Sequence, residues 1–291
     1  MIRRLHHVAL GVADLPAATQ RWAQEFGLSV RDRTENRARL ACDDEPYCLE
    51  LLSGVPRGLN HVGWELVPEI SPERFGDVDE DGSAWISDPE GNGIQLMPYR
   101  APASRFVPHA RPAPAGLVPG HPRKLGHVNF LTAALREQLS FYTETLGMHV
   151  TDWLGQNGVW LHVGSDHHVM ALVDKEYSHF HHLAFDVVDI GQMRMALDHL
   201  GRHGRWLGWG PVRHGIGGNI AAYVRIVEEE CFVELYCDME QLQADHQPRQ
   251  WPDDRFSSNT WGPLPPRSYF RFDERAVESE RESLEMLGVP L

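Results

Sequence analysis

The sequence contains one pattern twice, and that duplication limits the folds open to it more than any other feature. RLHHVAL (4–10) lies on KLGHVNF (124–130), which sets His7 over His127, 120 residues apart. Each segment runs into a helix-like stretch closing on a glycine, Gly27 and Gly147, again 120 residues apart. Further on, NHVGWEL (60–66) lies on HHLAFDV (181–187) and GIQLM (93–97) on FVELY (232–236), so that His61 matches His182 and Gln95 matches Glu234. Each half reads as a strand, a helix and several more strands. Units this long indicate two similar domains rather than a solenoid, whose repeats run to roughly 20–50 residues. With 291 residues, 42% of them apolar, the chain has material for two cores.

The halves are assigned to residues 1–97 and 124–240. Between them, residues 98–123 are rich in proline and alanine and follow neither structural period, as in an ordered or semi-rigid linker. Residues 241–291 keep Trp251, Phe256, Trp261, Tyr269 and Phe270 without a period. Aromatics at that density bury, so this tail is expected to pack over the second domain or in a subunit interface. A short exposed helix is expected over 273–287. Lys plus Arg number 27 against 41 acidic residues, a net charge of −14. Phosphate contacts need clustered cations, so a dedicated nucleic-acid binder and an anionic-membrane binder are both disfavoured. The basic start is interrupted by Asp14 and Pro16 before a signal-peptide core forms, and no apolar run nears the ~18 residues that span a bilayer. A soluble cytoplasmic protein is expected. Cys42, Cys48, Cys231 and Cys237 form no CxxC and read as reduced structural thiols. The 17 histidines are the compositional anomaly, since histidine is both the commonest metal ligand and the acid–base group of neutral pH.

Strand alternation puts His127 with Asn129 on one face, His182 with Ala184 and Asp186 on another, and Phe232 with Glu234 and Tyr236 on a third. Two histidines and a carboxylate from three strands form the ligand set that leaves half an octahedron open on a redox metal. Alone, each is weak evidence; the duplication aligns all three independently. In the N-terminal copy the carboxylate is replaced by the amide of Gln95, a poor ligand. One metal site per chain is therefore expected, with none in the N-terminal half.

These residues resemble the type I extradiol catechol dioxygenases of the vicinal oxygen chelate superfamily, over about residues 3–240 and most densely over 121–240. Gly126-His127 matches the strand that supplies the first metal ligand there, and HHLAF the second, His182. The stretch RHGIGGNIAAYVRIVEEECFVEL matches the signature that opens on a histidine and ends on the third ligand, giving His214, Tyr223 and Glu234. His168 in DHHVMAL matches the acid–base histidine, with His167 the neighbouring alternative. Asn129 and Trp160 match residues lining the oxygen and substrate pocket.

The resemblance implies an α+β fold of two tandem vicinal-oxygen-chelate domains, each of paired βαβββ modules forming a half-open barrel. It implies an iron enzyme, Fe(II) with Mn(II) as the alternative, that opens a catecholic small molecule with O2, works without nucleic acid or membrane, and assembles as a homo-oligomer. Tyr223 and His214 would bond the substrate oxygens, and His168 would move protons. Each has a plainer reading: Tyr223 and Trp160 as core aromatics, His214 as a loop histidine, His168 as a surface one. His181 is expected to face away from the site. The sequence departs from the family at VEEEC, one residue longer than the usual D-P-x-G turn, and Glu228, Glu229 and Glu230 read as a solvated turn. Carboxylate-accepting members carry an arginine where this chain has Trp209, with Trp206 nearby, which favours an uncharged alkyl or aryl substituent; Arg213, Arg267 and Arg271 keep an acid open. A non-oxidative glyoxalase- or isomerase-type enzyme of the superfamily, and a non-catalytic binding protein of the same fold, are the competing readings.

Overall fold

The computed structural model describes residues 1–42, 45–101, 118, 120–271, 282 and 286. Most of the linker, and all of the helix expected over 273–287 except Glu282 and Met286, lie outside the described residues.

The first half opens with β1 (Ile2–Gly11) and α1 (Leu15–Phe26), followed by β2 (Ser29–Arg33), β3 (Arg37–Ala41) and β4 (Leu49–Leu52). Asp14 caps α1 by accepting from the Ala17 amide, Pro16 stands in its first turn, and Gly27 ends it in the left-handed region. Leu15, Ala18, Trp22 and Phe26 recur at helical spacing and bury together on one face. The chain continues with β5 (Gly58–Leu66), β6 (Ala84–Ser87) and β7 (Gly93–Met97), giving a seven-stranded sheet in the order β2-β3-β4-β1-β5-β7-β6. This second module is abbreviated. A single 3-10 turn at Pro72–Phe75 stands where a helix is expected, and two strands follow instead of three. Pro68, Pro72, Gly76, Gly82 and a run of acids leave no stretch there able to sustain an amphipathic helix.

The second half repeats the plan in full. It comprises β8 (Lys124–Thr132), α2 (Leu135–Ser140), β9 (His149–Leu154), β10 (Gly158–His162), β11 (Met170–Asp174), β12 (His179–Asp186), α3 (Ile190–Arg202), β13 (Leu207–Arg213), β14 (Ile220–Ile226) and β15 (Cys231–Cys237). The helix expected to close on Gly147 runs as α2 and then widens into a π turn over Phe141–Thr145. From the tail, β16 (Arg249–Trp251) pairs in parallel with β9, completing a nine-stranded sheet in the order β13-β14-β15-β12-β8-β11-β10-β9-β16. Two sheets, few helices and an internal repeat are the α+β architecture expected.

The halves are tied together by charge as well as by packing. Of the glutamates of VEEEC only Glu229 is removed from solvent, 1% exposed and paired with Arg21, while the part-exposed Glu228 and Glu230 pair with Arg205 and Arg57, each at 2.9 Å. Arg205 also reaches Glu25 at 2.7 Å. Arg21, Glu25 and Arg57 belong to the first half, so this turn clamps one half to the other. The extra residue is absorbed by a 3-10 turn (Val227–Glu229) and a left-handed Glu230, after which β15 resumes alternation in register with β14.

Candidate metal centre and active site

β15, β12 and β8 are neighbours in the second sheet, and their register builds the site. Ala184 stands opposite both His127 across the antiparallel β8 pairing and Glu234 across the parallel β15 pairing. His182, two residues before Ala184, shares its face. The small Ala184 side chain leaves the space into which the three polar groups converge. His127 Nε2 lies 3.0 Å and His182 Nε2 3.1 Å from the same oxygen, Glu234 Oε2. The other oxygen, Oε1, accepts from Asn219 Nδ2 at 3.0 Å, which turns Oε2 inward. Gly126 has its own reason: a Cβ there would fall 1.9 Å from the Tyr236 hydroxyl, whose ring packs at 5.1 Å from His127.

The donor set fits a divalent metal ion. One ligand atom from each of the three side chains lies within 4.8 Å of the others, and all three residues are buried. Two ligands at right angles about 2.1 Å from one ion lie about 3.0 Å apart, as these do. Burial alone would raise the Glu234 carboxyl, but His127 and His182 outweigh it and hold it well below the ordinary range. Burial likewise keeps His182 below its usual value, against the pull of Glu234, so the ring stays neutral and able to coordinate.

A repeated histidine-pair device orients the rings. His167 Nε2 donates to Asp152 Oδ2 (3.1 Å), which leaves its Nδ1 to accept from His168 Nδ1–H (3.0 Å). The Nε2 lone pair of His168 is thereby left free, and its ring lies 4.3 Å from that of His127. In the same way, His181 Nε2 donates to the Tyr269 carbonyl (2.6 Å) and its Nδ1 accepts from His182 Nδ1–H (2.8 Å). That tautomer presents His182 Nε2 as a lone pair toward Glu234. The expectation that His181 faces away is corrected here. A bulge between Phe180 and His182 in the β8 pairing brings His181 into the cavity wall, between the ligand and the tail.

The cavity above this floor is lined by His127, His182, Glu234, His168, His214, Tyr223, Asn129 and Trp160, the ligand, acid–base and pocket residues that the resemblance implies. His167 does not line it. Tyr223 donates its hydroxyl to His214 Nε2 at 2.8 Å, since His214 Nδ1 is committed to the Ser258 carbonyl at 2.8 Å. Burial, with Glu234 adding to it, pushes the Tyr223 phenol well above its usual value. Burial lowers His168 well below the ordinary histidine range, with His127 and His167 pressing it further.

The walls are completed by Trp209, which stands at the family's arginine position, and by the tail, expected from its aromatics to pack over the second domain. Trp209 stacks on Tyr223 at 5.1 Å with its indole N–H given to the Pro263 carbonyl, and Tyr269 packs edge-on against both. Pro265, Tyr269 and Phe270 of the tail line the cavity as well. Trp206 is exposed and takes no part, and Phe256 and Trp261, expected to bury, are 59% and 46% exposed. Only their aromatic type was visible in the sequence; which rings point inward depends on where the tail crosses the sheet. Among the described residues, no lysine or arginine lines the cavity, and Arg213 turns outward to Asp238 at 3.3 Å.

Residues 124–231 match the family model described as the Glyoxalase/Bleomycin resistance protein/Dioxygenase superfamily. The chain is 29% identical to Metapyrocatechase 2 of Cupriavidus necator, over 94% of this chain and 93% of that one. It superposes on homoprotocatechuate 2,3-dioxygenase from Brevibacterium fuscum with a TM-score of 0.78 at 21% identity, covering 92% of this chain and 91% of that one. A Mn(II)-bound glyoxalase from Novosphingobium aromaticivorans gives 0.75 at 21% identity, covering 91% and 93%. The second half thus matches the Glyoxalase/Bleomycin resistance protein/Dioxygenase superfamily, and the chain as a whole has the fold shared by the extradiol dioxygenase and the glyoxalase on which it superposes.

Proposed function

We propose that this chain is an Fe(II)-dependent extradiol dioxygenase that opens a catechol ring beside its hydroxyls with O2, in the catabolism of aromatic compounds. The observation that carries the reading is the approach of His127 and His182 to one oxygen of Glu234 on the floor of a cavity that also holds His168, His214 and Tyr223. His127, His182 and Glu234 would hold the ion, Fe(II) with Mn(II) as the alternative, which would supply Lewis-acid and one-electron chemistry toward catechol and O2.

The remaining side chains bind, orient and move protons. Tyr223 and His214 bond the catechol oxygens, and their existing hydrogen bond gives the proton lost on binding a path to His214 Nε2. His168, with Nε2 free and Nδ1 held by the Asp152–His167 pair, accepts and returns a proton as the ring opens. Asn129 and Trp160 wall the oxygen and substrate side. Tyr269 and Phe270 close over the ring and keep bulk water out. With no lysine or arginine lining it among the described residues, the cavity suits an uncharged alkyl or aryl substituent. Catalysis belongs to residues 124–240, with the tail as its cover, in a homo-oligomeric enzyme.

Oxygen uptake by the chain reconstituted anaerobically with Fe(II), Mn(II) or Zn(II) tests this. Uptake with the redox ions and a yellow ring-opened product support the proposal. Isomerisation of a hemithioacetal with Zn(II), and no oxygen uptake with any ion, would replace it with the glyoxalase-type reading.

A further inference from the structure

In the N-terminal half Gln95 occupies the carboxylate position of the C-terminal cluster. The sheet of that half supplies a carboxylate from another strand. β4, β1 and β5 lie side by side, and Glu50, His7 and His61 converge from them, each with one donor atom within 4.8 Å of the others and all buried. His7 Nε2 and His61 Nε2 are 3.0 Å apart, and His61 Nε2 is 3.8 Å from Glu50 Oε2.

The surroundings orient each donor as in the C-terminal cluster. Asn60 Oδ1 accepts from His61 Nδ1 at 2.9 Å, which leaves His61 Nε2 as a lone pair facing His7. His6 meets His7 Nδ1 at 3.0 Å, the pairing already seen at His167-His168 and His181-His182. Arg39 donates to Glu50 Oε1 at 2.7 Å, which leaves Oε2 toward the imidazoles just as Asn219 leaves Glu234 Oε2. Gly63 takes the place of Ala184: a Cβ there would fall 2.1 Å from the His7 ring, so the backbone is pared away to seat it. Two ring nitrogens 3.0 Å apart match the spacing of adjacent ligands on one ion, about 2.1 Å from each.

We propose that His7, His61 and Glu50 form a second divalent-cation site, which ties β4, β1 and β5 together. Two neutral imidazoles and one carboxylate suit a borderline ion such as Zn(II). All three donors are buried, as in a structural site, and the proposal is independent of the reaction assigned to the other half.

The test is a Zn(II) count per chain by elemental analysis after equilibrium dialysis, together with thermal unfolding. The wild-type chain should retain two equivalents. Glu50→Gln should retain one, and a chain carrying His182→Ala with Glu234→Ala should also retain one and still melt at a higher temperature when Zn(II) is added. An equivalent lost entirely in the His182/Glu234 variant, or a count undiminished in Glu50→Gln, would overturn the proposal. The wild-type and His182/Glu234 counts decide the matter even if Glu50→Gln does not fold.

Discussion

Replacing Asp152 with asparagine should cost the protein about 2 kcal/mol at neutral pH. The Asp152 side chain is fully buried and accepts from His167 Nε2 at 3.1 Å, Arg249 Nε at 2.9 Å and Trp251 Nε1 at 2.8 Å. Burial pushes the carboxyl up, but these three donors outweigh it and bring it from 3.8 down to about 2. Nearly two pH units at 1.36 kcal/mol each give about 2.5 kcal/mol. Arg249 is 39% exposed, so screening trims this to about 2 kcal/mol. Because the folded value is depressed, the contribution is complete above the unfolded value of 3.8 and is lost as pH falls through about 2. Urea unfolding of wild type and Asp152→Asn should therefore differ by about 2 kcal/mol at neutral pH and by roughly half that near pH 3. A variant within about 0.5 kcal/mol of wild type at neutral pH, or a gap undiminished at pH 3, would refute the reasoning. The same change frees the His167–His168 tautomer, so turnover should fall with iron content unchanged.

Alanine at His127, His182 or Glu234, in a chain pre-equilibrated with Zn(II) so that the N-terminal cluster is filled, should abolish iron retention with the fold largely intact, as read by iron analysis alongside circular dichroism; iron kept by the Glu234 variant would contradict the ligand assignment. His168→Ala should retain iron and catechol affinity while kcat falls by about 10²–10⁴-fold, with partial rescue by imidazole. Normal turnover in that variant, with loss in His167→Ala, would transfer the role to its neighbour. Truncation before Trp251 removes Tyr269 and Phe270 from the cavity wall, and should raise the catechol KM and speed inactivation during turnover with particle size unchanged. A smaller particle by light scattering would instead make the tail a subunit arm.

How far the sequence leads can be followed residue by residue. The duplication was legible because each repeat keeps a histidine on its first strand and a second on the strand beside it, and alternation then fixes which residues share a face. Glu234 was reached the same way despite the longer turn before it, since Phe232, Glu234 and Tyr236 alternate. What depends on distant segments was not legible. Glu50 comes from β4, where the other half carries Ala171, so comparing the repeats gives no hint of a donor. Glu229 looks like a solvated turn residue until Arg21 of the other half lies beside it. The abbreviated second module was visible in its prolines and glycines but was masked by the expectation of symmetry. His181 moved into the site through a bulge, a one-residue shift that strand alternation does not foresee.

The most direct test of the central claim is the fate of dioxygen. The Fe(II)-loaded chain, prepared anaerobically and mixed with a neutral 3-substituted catechol, would be exposed to ¹⁸O₂ and the ring-opened product analysed by mass spectrometry. The expected result is a yellow product whose carboxylate carries at least one ¹⁸O atom from the gas. A catechol recovered intact, or a product with no label from the gas, would contradict it.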